Sequence, residues 1–202
     1  MKKLFAVCII GLALGTAGVF ADHPDGWGIG PGFGFNWGWP FGGGGGSAPG
    51  IYLSLKAPKL PVFWGLSLGF GTNYFGLGVT GDWYIIDKPL APAAKLHWFL
   101  GVGGFLTLNI WGGSWSYAGG SAKWSYLEFG GGVRVPVGLS WQPLDWLEVF
   151  GEINASLGIG GSTDSVIEYD VGGEKLKHTY HEGGLWFPVG GLGGAIGVRF
   201  WF

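Results

Sequence analysis

The chain has 202 residues, enough for one ordinary domain, with 17% aromatic and only 12% charged residues, 45 glycines and 13 tryptophans. A water-facing domain carries about 25% charged residues, and a disordered glycine-rich chain is poor in aromatics, so neither class fits. Lys2 and Lys3 lie in an N-terminal leader; 11 basic residues less these two leaves 9 against 13 acidic ones, a net charge of −4 with no basic patch for nucleic acid.

Residues 1–21 have the form of a signal peptide. Lys2 and Lys3 supply the positive region, residues 4–20 the apolar stretch, and Val19-Phe20-Ala21 the small-x-small cleavage site. The mature chain, 22–202, then lacks the one cysteine, Cys8, and has neither disulfides nor thiol chemistry. After Phe20 no run of 18 apolar residues is free of glycine or charge, so a mature chain that crosses a membrane must do so as a closed barrel.

Period two dominates the mature chain. Trp27, Ile29, Phe33, Phe35, Trp37 and Trp39 alternate with glycines and Asn36, as on the two faces of a strand. Apolar faces of the same kind recur over 51–55, 64–70, 75–85, 96–108, 127–141, 147–159 and 186–202. Within them Trp83 and Ile85 stand on the apolar face of the fourth segment, and Trp186 on that of the last, in line with Leu192 and Ile196. Short turns are expected at 58–61, 87–94 and 142–145. On the other side fall the glycines after position 40, a tight turn at Thr72-Asn73, and loops at 111–123 and 161–183. Eight strands with long loops on one side and short turns on the other predict an all-β fold, an eight-stranded antiparallel transmembrane β-barrel after a cleaved signal peptide.

The charges sharpen this expectation. Lys56, Asp82, Lys95, Glu128, Arg134, Glu148, Glu152 and Arg199 all fall on the face opposite the apolar stripe. In a barrel this narrow they must pair inside it. Arg134 and Glu152 flank the 142–145 turn at similar distances and are expected to meet; Glu148 and Glu152 are expected to pair with Arg134 and Arg199. Trp39, Trp64, Trp83, Trp98, Trp141 and Phe202 near strand ends would form girdles at the two lipid–water boundaries.

No constellation reads as an enzyme. Nucleophilic catalysis needs a nucleophile, base and orienting group together, and the histidines are only His23, His97, His178 and His181. The run His178-Thr179-Tyr180-His181-Glu182 is a weak metal pattern and Gly28-x-Gly30-x-Gly32 lacks the strand–helix setting of a dinucleotide fingerprint. No cofactor, metal or nucleic acid is expected.

The final segment Gly197-Val198-Arg199-Phe200-Trp201-Phe202 resembles the C-terminal signal of outer-membrane barrel proteins. The resemblance implies that Val198, Phe200 and Phe202 are read by the outer-membrane barrel assembly machinery. The whole layout is similar to the small eight-strand barrels of the OmpA membrane-domain, OmpX and OmpW type, and 132–153 resembles small spirochaetal barrels. Two functions remain open. One is a non-enzymatic scaffold in the bacterial outer membrane, its interior filled and charge-paired, its loops at 111–123 and 161–183 meeting an extracellular ligand. The other is a narrow conduit for small apolar solutes, as the OmpW likeness implies. It would be widened by inward glycines such as Gly65, Gly76, Gly101, Gly103 and Gly197, and lined by Phe63, Phe99, Phe105, Phe150 and Phe187.

Overall fold

The computed structural model describes residues 24, 26–36, 50–117, 120–171 and 173–202. The leader, Cys8, His23, Trp37, Trp39 and the glycines after position 40 lie outside them. The fold is all-β and antiparallel: β1 (Gly28–Asn36), β2 (Gly50–Lys56), β3 (Val62–Gly71), β4 (Tyr74–Ala91), β5 (Leu96–Tyr117), β6 (Gly120–Leu144), β7 (Leu147–Ser162), β8 (Ser165–Val171), β9 (Glu174–Tyr180) and β10 (Gly184–Trp201). One short 3₁₀ turn, Pro92–Ala94, joins β4 to β5.

Eight of these strands close on themselves. Strands β1 to β7 pair in succession, β7 also pairs with β10, and β10 returns to β1. The chain ends finish the seam: Trp27 and Phe202 exchange backbone hydrogen bonds at 2.9 and 3.0 Å. Closure leaves no free strand edge within the ring. Residues 28–36 therefore form the first strand.

The eight apolar segments of the sequence all become ring strands, but the intervening segments differ from expectation. Residues 111–123 are not a loop: β5 and β6 run on as a hairpin, paired from Trp111↔Tyr126 to Tyr117↔Gly120. Residues 161–183 are not a loop either. They fold into the β8–β9 hairpin, and β8 pairs with the extended part of β6 (Gly120↔Val171 to Ser125↔Val166). Backbone groups that a loop would leave to water are thereby paired in a ladder. A four-stranded sheet, β5–β6–β8–β9, rises above one rim of the ring.

Among the register slips between strands, two move residues that the sequence had assigned. In β4 the register slips between Tyr84 and Ile86. An extra residue flips the side chains that follow it to the other face, so Asp87 lies buried inside the ring, on a strand and not in a turn. In β10 the register slips between Trp186 and Val189, where Pro188 has no N–H to give to a ladder. Trp186 consequently leaves the apolar outer stripe, while Leu185 and Phe187 point outward and are 75% and 68% exposed. Phe187 therefore lines no interior.

Candidate functional site

The interior of the ring is a packed layer of charges and rings. Near the short-turn end Arg199 is 1% exposed and Glu148 0%. Arg199 donates from Nη1 to Glu148 Oε1 at 2.6 Å, from Nε to Ser54 Oγ at 2.6 Å and from Nη2 to the Tyr84 hydroxyl at 3.4 Å. Glu148 also accepts from Ser140 Oγ at 2.8 Å and from Trp201 Nε1 at 2.9 Å. The guanidinium carbon lies 4.0 Å from the Phe150 ring centroid and 4.7 Å from that of Phe63. A planar, weakly hydrated cation between two aromatic faces suits arginine and not lysine.

One layer further in, Arg134 contacts Glu152 through Nη2 and Asp82 through Nε at 3.1 Å. The Arg134–Glu152 meeting expected across the β6–β7 hairpin is present, because Arg134↔Ser156 and Gly138↔Glu152 register puts both side chains on one face. The arginines come from β6 and β10, the carboxylates from β4 and β7, so four strands are tied across the lumen. Tyr84 is stacked between Phe63 and Phe99, both at 4.1 Å.

Several inward glycines are filled by neighbouring side chains. A Cβ on Gly138 would lie 2.5 Å from Phe99 Cζ, and one on Gly197 would lie 2.9 Å from Phe150 Cε1. At Gly103 it would meet the Asp82 carboxylate, and at Gly65 it would meet Tyr52 and Thr80. These four glycines seat side chains that reach in from neighbouring strands, whereas at Gly30, Gly32 and Gly132 a Cβ would meet only the backbone of the next strand.

The remaining sequence-predicted charges take different places. Lys56 is buried near the short-turn rim and donates to the Ala57 carbonyl at 2.9 Å, its Nζ 5.6 Å from the Phe63 ring. Glu128 is half-buried at the other mouth, where Oε2 accepts from Trp111 Nε1 at 2.9 Å. Lys95 is not in the interior. It caps the 3₁₀ turn with φ 50° and meets Asp145 at 2.5 Å in the open. The proline-initiated turn at Pro92 takes Lys95 off the strand, so strand alternation does not govern it. That bond holds the Asp145 carboxyl below its ordinary 3.8. Sequence alternation missed Asp87, which the β4 bulge places 3.4 Å from His97 Nδ1. The adjacent apolar pair Ile85-Ile86, a break in strict alternation, was the available signal.

The outer face is apolar. Ile29, Phe33, Leu77, Leu106, Val133, Val135, Leu139, Ile153, Leu157 and Ile196 are all exposed. Trp27, Trp64, Trp141, Trp146 and Phe202 are exposed toward the short-turn end, with Trp146 stacked on Phe200. Val198, Phe200 and Phe202 share this outer face on the closing strand. Lys88, exposed on β4 opposite Trp98, stands three residues from the end of its strand.

Beyond the other rim lie the histidines of the raised sheet. His178 meets the Tyr180 ring edge-on at 4.6 Å, and His181 Nδ1 is 2.7 Å from Asp164 Oδ2. Among the described residues no three His, Cys, Asp or Glu side chains are grouped to hold a metal. No family model, curated protein or solved structure matches this chain.

Proposed function

We propose that the chain is an integral protein of a bacterial outer membrane, an eight-strand barrel acting as a non-enzymatic scaffold that presents the raised sheet to the outside. The filled interior carries the scaffold reading. Arg199, Glu148, Phe99 and Tyr84 are essentially without solvent contact, and the Phe63–Tyr84–Phe99 stack beside them supports a filled interior. An apolar exterior over a charged interior is the reverse of a soluble protein and suits lipid outside. On β6 the outward run from Phe129 to Trp141 is uncharged. At about 3.3 Å per residue and a tilt of about 45° it spans roughly 30 Å, the thickness of a bilayer core. The tryptophans at the short-turn end would then mark the periplasmic boundary, and Val198, Phe200 and Phe202 would be the strand that the assembly machinery reads.

The test is to refold the chain from Asp22 onward with lipid vesicles and then record from planar bilayers. Stable insertion without discrete current steps is the expected result. Discrete steps would replace the scaffold with the conduit for small solutes. Failure to insert would remove the membrane reading.

A further inference from the structure

We propose that the open edge of β9 binds an extended peptide that carries acidic residues at alternate positions. β9 is the last strand of its sheet, and among the described residues only β8 pairs with it. The β8–β9 hairpin closes on the pair Val171↔Glu174 across a two-residue turn. A closing pair of that kind exchanges both its hydrogen bonds, and hydrogen-bonded pairs then alternate along the antiparallel ladder. Glu174, Leu176 and His178 therefore turn their backbone groups toward β8. Lys175, Lys177 and Thr179 turn their N–H and C=O groups outward, in line along a strand that is exposed throughout. Such an edge is a template for one more strand.

The register also sets which side chains that strand would meet. On one face Lys123 of β6 lies opposite Glu168 of β8, and Glu168 lies opposite Lys177 of β9. In the next row Asp170 of β8 lies opposite Lys175 of β9. Charge alternates from strand to strand, and both rows stop at a cation on the open edge. Opposite charges across a strand pair stabilise it and like charges destabilise it, so the strand that continues these rows is acidic at two positions two residues apart. On the other face Trp124, Ile167 and His178 form one row, and Ala122, Tyr169 and Leu176 another. Leu176 is 58% exposed there, and His178 meets Tyr180 edge-on. The incoming strand is thus acidic on one side and apolar on the other. β9 itself has Lys175, Lys177 and Thr179 on the charged face and no carboxylate among them, so a second copy of β9 does not continue the rows. In strand addition the backbone bonds supply affinity and the alternate side chains supply specificity.

The inference rests on the reading that this sheet stands outside the bilayer. The full mature chain, isotope-labelled and refolded in detergent micelles, is titrated with a capped peptide that alternates valine with glutamate, and with its lysine-for-glutamate counterpart. The acidic peptide is expected to slow amide exchange at Lys175, Lys177 and Thr179, and to leave Leu176 and His178, already bonded to β8, unchanged. Lys177→Pro removes an outward N–H without touching the β8 ladder and is expected to weaken binding about tenfold. Lys175→Gln with Lys177→Gln keeps the backbone edge and is expected to cut the preference for the acidic peptide over the lysine one by about tenfold. No protection at millimolar peptide, equal binding of the lysine peptide, or unchanged binding by Lys177→Pro overturns the proposal. Protection of the same three amides by self-association, with no peptide present, assigns the edge to a second copy and overturns it as well. Peptide binding in micelles by a chain that fails to enter vesicles keeps the edge and removes the membrane reading; insertion with no peptide bound does the opposite.

Discussion

The ring interior and the raised sheet are made of the same kind of antiparallel strand, and they are held in opposite ways. In the interior each large side chain has a seat made for it: Phe99 over Gly138, Phe150 over Gly197, Arg199 between two phenyl faces. In the raised sheet β9 is exposed along its whole length, and β8–β9 is tied to the ring chiefly by one backbone ladder on β6. The interior has side-chain complementarity over four strands. The sheet has register, and little below it to bury. A rigid body under an openly displayed surface is the division of labour a scaffold needs.

The largest expected effect tests that contrast directly. Glu148→Ala leaves Arg199 buried beside no carboxylate and removes the acceptor of Ser140 and Trp201. Breaking a buried pair from one side costs about 3–5 kcal/mol, read as a lower urea midpoint for the lipid- or micelle-folded chain. Leu176→Ala on β9, 58% exposed, should stay within about 0.5 kcal/mol. Equal losses would mean that the two regions are held alike. Next in size is Leu106→Lys, at a position 67% exposed on the outer face of β5. Against lipid it costs about 2–4 kcal/mol; against water it would cost no more than about 0.5 kcal/mol. The same substitution at Leu176 is expected to be silent in either case.

The interior was legible in the sequence to the extent that strict alternation holds. Arg134, Glu152, Glu148 and Arg199 sit on one parity between apolar neighbours, and the β6–β7 turn fixes which of them face each other. Alternation fails at a bulge, because the inserted residue is chosen by the partner strand and not by its own neighbours. Ile85-Ile86 and Trp186-Phe187 are apolar at both positions, so neither pair says which residue turns outward. Alternation misplaces Trp186 and Phe187 for that reason, and Asp87, expected in the 87–94 turn, lies on β4, which runs on to Ala91. The raised sheet was hidden differently. Its strands mix glycine, serine, charged and aromatic residues without one continuous apolar parity and so read as loop, although Val166, Ile167, Tyr169 and Val171 before the Gly172-Gly173 pair form a hairpin signature. The open edge of β9, which depends on β8 pairing with β6 past the rim, was hidden with it.

A smaller effect separates glycines that seat a neighbour from glycines that do not. Gly103→Ala places a methyl against the Asp82 carboxylate and the Gly81 carbonyl. Overpacking of that kind costs about 1–3 kcal/mol and should disturb the Arg134–Asp82 contact, visible as a shifted Arg134 side-chain resonance. Gly184→Ala, with nothing within 4 Å of the new methyl, should change the urea midpoint by no more than about 0.5 kcal/mol. Similar costs at both positions would mean that the inward glycines are not seats.

The smallest effect belongs to the sheet alone. Asp164, at the base of the β8–β9 hairpin, accepts from the Gly183 backbone at 3.1 Å and meets His181 at 2.7 Å. The hydrogen bond to His181, then that from Gly183, holds its carboxyl below the ordinary 3.8. A depressed folded value means that the ionised form stabilises the hairpin. That contribution is fully present above the unfolded value of about 3.9 and is lost as pH falls through the lower, folded one. Carboxyl resonances should therefore show Asp164 titrating below 3.8, with the Gly183 amide shifting along the same curve and exchanging faster once it is complete. The amides of β7 should keep their protection over the same range, since no ring strand depends on Asp164. Asp164→Asn should remove the transition and leave the ring's urea midpoint unchanged at neutral pH. If β7 amides opened together with Gly183, the hairpin and the ring would be one cooperative unit, and the separation between a fixed body and a loosely tied sheet would not hold.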